Sequence, residues 1–321
     1  MLKLIKRKHN LSIRDFYNRR NKVLIRRTLG GFGDILMQRM MFEDFSKIDV
    51  EIHYACPHEF MEMSLNHPFL KNIKEINKVS LIDYGIIYDI TTICAITESK
   101  ELSNNKRHRS DIWANHCGVE LTKHEMHLYP EIEQIENCKR LIKEINPNGK
   151  TVVLLATRSV DNDFAIAKSL TETQIEKLVS SIIENDMIPI TVHKNHQDIY
   201  NRLNVKQFVS LHPQTWIALV ACSDIIVSID TATFHIAGGL KKPLVGIFSF
   251  TDGKVYGKYY KFLLVQKHRD NGDWDCGPCF NCHACPKEKV LKQKPCLTEI
   301  DPSDIMDAIL SLKNNLHLEK Y

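Results

Sequence analysis

Short apolar segments and amphipathic helical stretches alternate along this chain, and the alternation runs twice. Residues 22–28 read as a strand and are followed by a glycine turn at Gly30, Gly31 and Gly33. A helix over 34–45 comes next, with Ile35, Met37, Met40, Met41 and Phe45 on one face and an acid at its positive end. Strands at 50–55 and 84–90 continue the series, and a helix over 131–145 closes it at Asn146-Pro147-Asn148-Gly149, a strong breaker. A second series begins at once. Strands are expected at 151–156, 188–192, 224–229 and 244–248, with helices at 171–184, 213–221, from 231, and from 301 to about 313. Strands alternating with helices predict parallel α/β sheets, and two successive series predict two domains, 1–147 and 148–321. Ligands of such sheets sit beyond the carboxyl ends of the strands, so a cleft between two facing Rossmann-like domains is the expected active site.

A length of 321 residues, 43% hydrophobic content and 26% charge suit two globular domains. No apolar run is long enough to span a membrane, and no secretory pattern follows the basic start, so a cytoplasmic protein is expected. The charge is uneven. Residues 1–27 hold ten Lys or Arg and one acid, so this segment is +9 against +4 for the whole chain, leaving −5 elsewhere. A basic arm on a mildly acidic body predicts contact with an anionic partner: a phosphorylated glycan, a membrane surface or nucleic acid. Its bland alternative is a solvated tail.

Two stretches carry the chemistry. In Gly30-Gly31-Phe32-Gly33-Asp34 the glycines let backbone approach a ligand at a helix start, and the Asp34 carboxylate at the cleft mouth suits a general base. The alternative for Asp34 is a first-turn acid of a helix. A dinucleotide fingerprint fails here, because its third glycine falls on Leu36, which argues against a dehydrogenase. In Asp230-Thr231-Ala232-Thr233-Phe234-His235 a strand ends and a helix opens among small polar residues. Backbone amides of Thr231, Ala232, Thr233 and Phe234 at such a helix start can hold a diphosphate without a metal. His235 alone reads as readily as a core histidine. Lys106-Arg107-His108-Arg109 reads as an exposed basic loop, with the acceptor side as its alternative.

Five of the ten cysteines, Cys276, Cys279, Cys282, Cys285 and Cys296, cluster late in the chain. Paired C-x-x-C thiolates predict a structural zinc or iron site that staples a loop, against free thiols or disulfides as rivals. No catalytic cofactor is expected.

Asp230-Thr231-x-x-x-His235-x-Ala237, Lys242-Pro243 and a strand ending at Phe248 resemble the donor-domain signature of glycosyltransferase family nine, the bacterial heptosyltransferases of lipopolysaccharide synthesis. Gly33-Asp34-Ile35-Leu36 is similar to the family's amino-terminal motif, and Thr157-Arg158 with Lys168 to its basic donor segment. The family often has an aromatic residue two places after that lysine, where this chain has Leu170. The resemblance implies a GT-B fold and an inverting, metal-independent transfer from an NDP-sugar, ADP-linked in the family, to a glycan hydroxyl. It implies Asp34 as base, and Gly33, Thr157, Arg158, Lys168, Asp230, Thr231, Ala232, Thr233, Phe234 and His235 around the donor. Some members that modify autotransporters bind iron through such cysteines. A protein or modified-DNA acceptor, or a nucleotide-sugar-binding module without turnover, is the alternative function.

Overall fold

The computed structural model describes residues 21–48, 50–101, 106–159, 168–267, 285 and 294–318. Its first half contains β1 (Lys22–Arg26), α1 (Phe32–Arg39), α2 (Phe42–Phe45), β2 (Glu51–Cys56), β3 (Asn72–Glu75), β4 (Ile86–Asp89), α3 (Ile93–Glu101) and α4 (Arg109–His116). The four strands form a parallel sheet in the order β3-β2-β1-β4. After α5 (Ile132–Ile145) come β5 (Thr151–Ala156), α6 (Glu172–Glu184), β6 (Met187–His193), α7 (Asp198–Arg202), β7 (Lys206–Val209), α8 (Pro213–Cys222), β8 (Ile225–Ile229), α9 (Ala232–Gly239), β9 (Leu244–Phe248), α10 (Gly253–Tyr256), β10 (Leu263–Gln266), α11 (Pro295–Thr298) and α12 (Pro302–Leu318). These six strands are all parallel, in the order β10-β9-β8-β5-β6-β7. Counted from β5, that is the 3-2-1-4-5-6 order of doubly wound sheets, and the fold is α/β with two Rossmann-like sheets of GT-B type.

The apolar runs explain the central strands. All five residues of β8 and all five of β9 are buried, as a parallel sheet covered on both faces requires. Helix α6 starts with Thr171 accepting from Gln174 N, with Gln174 reaching back, a capping box readable in the sequence. Its buried face packs on α12.

The single helix expected over 34–45 is broken. It ends at Arg39 and restarts as α2, because the Arg39 carbonyl accepts from His67 Nε2 at 3.0 Å instead of continuing the ladder. The Arg39 guanidinium, 1% exposed, donates to the carbonyls of Met126, Met63, Leu65 and His127 and ties this bend to two distant loops.

Helix α5, at the junction of the two series, packs on α8 of the second half. There Thr215 Oγ1 donates to Gln134 Oε1 at 2.7 Å. Among the described residues no helix is long and apolar enough to cross a membrane.

Candidate functional site

Each sheet has one place where the strand order reverses: between β1 and β4 in the first, between β5 and β8 in the second. Loops leaving those strands diverge there and open a crevice. Thr28 N donates to Thr91 Oγ1 at 3.0 Å, linking the loops after β1 and β4. Helices α1 and α9, which follow β1 and β8, pack against each other, so the two crevices meet.

Gly33 makes that meeting close. A Cβ at Gly33 would lie 3.0 Å from His235 Cδ2 and 3.8 Å from the Ala232 nitrogen, so any side chain there would press on the first turn of α9. Asp34 is the third residue of α1, and the Gly31 amide donates to its Oδ2 at 3.3 Å. Arg27 Nη2 donates to Oδ2 at 2.9 Å and Arg109 Nη1 to Oδ1 at 2.6 Å. Burial alone would raise the Asp34 carboxyl, but the two guanidiniums outweigh it and hold it below the usual carboxylate range. Asp34 is therefore ionised, and it is a weak base.

On the facing side, Asp230 leaves β8 and is 8% exposed. Lys168 Nζ donates to its Oδ2 at 2.6 Å and Thr251 Oγ1 at 3.0 Å. Burial raises this carboxyl too, and Lys168 reverses the effect. Thr231 occupies the cap position of α9 with extended backbone, but its hydroxyl meets Ser228 Oγ at 3.1 Å and caps nothing. Helix geometry leaves the Ala232 and Thr233 amides without an intrahelical acceptor. The Phe234 amide, by contrast, donates to Thr231 O at 3.1 Å, and its ring is buried against Phe248 and Phe262. His235 is 2% exposed and shares a hydrogen bond of 3.0 Å with Tyr260 Oη through Nδ1. Burial pushes it down to about 4, so the ring is neutral near pH 7 and is a core histidine as well as a wall of the crevice.

Not every expected donor residue points into this space. Thr157 is 1% exposed and its hydroxyl meets Tyr200 Oη at 2.5 Å within the core. Arg158 is half-buried, with Glu172 as its ion partner at 3.9 Å. Of the cysteines, Cys276, Cys279 and Cys282 lie outside the described residues, while Cys285 and Cys296 are half-buried. Among the described residues no three His, Cys, Asp or Glu side chains group as metal ligands.

The sequence reading missed the cations. Arg27 falls within the basic segment but stands at the end of β1, 5% exposed, with its guanidinium 4.9 Å from the Trp113 ring centre. The 106–109 run is an exposed loop only in part. Lys106 and Arg107 are exposed, but His108 is fully buried and Arg109 reaches Asp34. The available signal was position: an arginine directly after a strand that enters the cleft.

Residues 134–281 match the family model of glycosyltransferase family 9 (heptosyltransferase). Among solved structures, the ADP-heptose lipopolysaccharide heptosyltransferase II of E. coli superposes with a TM-score of 0.63, at 11% identity over 94% of this chain and 100% of that one. A glycosyl transferase family 9 protein of Veillonella parvula gives 0.65, at 11% identity over 92% and 97%. The dodecameric iron-containing heptosyltransferase TibC of enterotoxigenic E. coli, in complex with ADP-D-β-D-heptose, gives 0.66, at 15% identity over 93% and 77%. A search of curated proteins finds no match. Residues 134–281 thus resemble a family 9 domain, and they sit in a two-sheet fold shared with heptosyltransferases.

Proposed function

We propose that the chain transfers a heptose or related sugar from an ADP-linked donor to a hydroxyl of a glycan such as lipopolysaccharide core, with inversion and without a catalytic metal. Domain 148–321 binds the donor and domain 1–147 the acceptor. The donor class is supported by the family 9 match and by heptosyltransferase neighbours, one of them holding ADP-D-β-D-heptose. The observation that carries the reading is the seating of Gly33 on His235, which sets the ionised Asp34 beside the first turn of α9.

The step is a single displacement. The acceptor oxygen attacks the anomeric carbon while the bond from that carbon to the phosphate oxygen breaks, and the electron pair leaves with the diphosphate. The acceptor proton passes to Asp34. A weak base suffices, because the hydroxyl becomes acidic as its bond to carbon forms. Negative charge grows on the leaving diphosphate, and fixed donors there are worth about 3–4 kcal/mol each. The Ala232 and Thr233 amides and Lys168 are the groups we assign to it, with Arg158 at the rim. Asp230, held by Lys168 and Thr251, orients the donor side. In this reading the enzyme is cytoplasmic, and the +9 segment meets an anionic acceptor or the inner-membrane surface. We assign the five late cysteines to a structural zinc or iron ion, on their spacing and on the iron reported for TibC. Protein purified without added metal should carry about one equivalent; thiols that all titrate freely would end that assignment.

Asp34→Asn tests the whole reading. Nucleotide-sugar binding should survive while transfer falls by about 10²–10⁴-fold, the usual worth of a general base. Unchanged transfer would remove Asp34 as base.

A further inference from the structure

Arg109 does more than neutralise Asp34. Its guanidinium uses Nε and Nη2 to grip Glu98 at both carboxylate oxygens, 2.7 and 2.8 Å, and this leaves Nη1 for Asp34 Oδ1 at 2.6 Å. The fork geometry of arginine makes the two grips interdependent, since the plane fixed by Glu98 decides where Nη1 points. Tyr256, from the second half, lies with its ring centre 5.1 Å from the guanidinium carbon. Its hydroxyl reaches Glu98 Oε1 at 3.5 Å. Side chains from α1, α3 and α10 thus converge on the one guanidinium that α4 contributes. All three side chains of the Glu98–Arg109–Asp34 chain are shielded, at 14%, 24% and 14% exposure, so the contacts are little screened by water.

We infer that Arg109, oriented by Glu98 and covered by Tyr256 from the donor half, is a positioning residue that sets both the place and the proton affinity of Asp34. The inference rests on the reading of Asp34 as the base. It assigns Glu98 a part in the reaction exercised through Arg109. Without the fork, Asp34 keeps Arg27 and the Gly31 amide, is held on one oxygen only, and takes up a proton at higher pH.

The test follows the carboxyl of Asp34 by carbon-13 NMR against pH, with Asp34→Asn identifying the signal, alongside the pH profile of kcat/KM. In Arg109→Lys, which keeps the charge but not the fork, the Asp34 titration should rise by about one pH unit or more, and the acid limb of kcat/KM should rise with it. A titration unmoved in Arg109→Lys overturns the inference, even if activity falls. Glu98→Gln is the second variant. If Glu98 orients Arg109, the Asp34 titration rises; if Arg109 acts as a free charge, removing the nearby anion lowers it, and Glu98 has no such part. The failure of the base reading looks different: Asp34→Asn would then transfer normally, whatever the titration does.

Discussion

Replacing Lys168 with methionine keeps the length of the side chain and removes its charge. Asp230 would be left 8% exposed with the Thr251 hydroxyl as its remaining side-chain donor. Breaking a fully buried ion pair from one side costs 3–5 kcal/mol; with side chains 15% and 7% exposed beside an open crevice, about 2–3 kcal/mol is expected. For a half of this size that is a fall of roughly 5–10 °C in the melting of the second half. The sign with pH follows from Asp230, whose carboxyl is depressed in the fold. Its contribution is full above the unfolded carboxylate range near 4 and is lost as pH falls through the folded value. The gap between wild type and Lys168→Met should therefore narrow on acidification below about pH 4. The assay is urea unfolding of wild type, Lys168→Met, Asp230→Asn and the double variant. A coupling energy above about 1 kcal/mol is predicted. Coupling below about 0.5 kcal/mol, or a gap that does not narrow, refutes the electrostatic account of this pair.

Further outcomes can be checked on the same material. Burial pushes His67 down to about 2, His108 to about 3 and His235 to about 4, so unfolding takes up protons between pH 6.5 and 4. Stability should fall in that window by up to about 1.4 kcal/mol per pH unit for each histidine, and His235→Asn should flatten the slope of the urea midpoint by one proton. An unchanged slope contradicts the buried neutral ring. Gly33→Ala sets a methyl 3.0 Å from His235 Cδ2 and should reduce transfer by roughly tenfold with a loss of stability near 1 kcal/mol. Full transfer by Gly33→Ala would mean that the approach of α1 to α9 is not what aligns the site.

The strands that could be read from sequence were those buried on both faces. β5 and β9 are almost wholly buried and rich in apolar residues, and their limits match expectation to the residue. β3, β7 and β10 were not read, because Asn72–Glu75, Lys206–Val209 and Leu263–Gln266 are short outer strands with weak alternation. The break after Arg39 was invisible for a different reason: its cause, His67, lies 28 residues away. The site divides along the same line. Asp34 and Asp230 stand in local turn-and-helix patterns, so their own neighbours announce them. Arg27, Glu98 and Arg109 of the first half and Tyr256 of the second are joined only by tertiary packing, and no short stretch of sequence contains that meeting. The split of the 106–109 run between solvent and cleft is the plainest instance.

The central claim is that the first turn of α9 grips the donor diphosphate across from Asp34. A crystal structure with ADP bound is the most direct measurement. The account predicts phosphate oxygens about 3 Å from the Ala232 and Thr233 amides, with Asp34 on the opposite wall. ADP bound away from α9, or held there by its base alone with the phosphates turned to solvent, would contradict it.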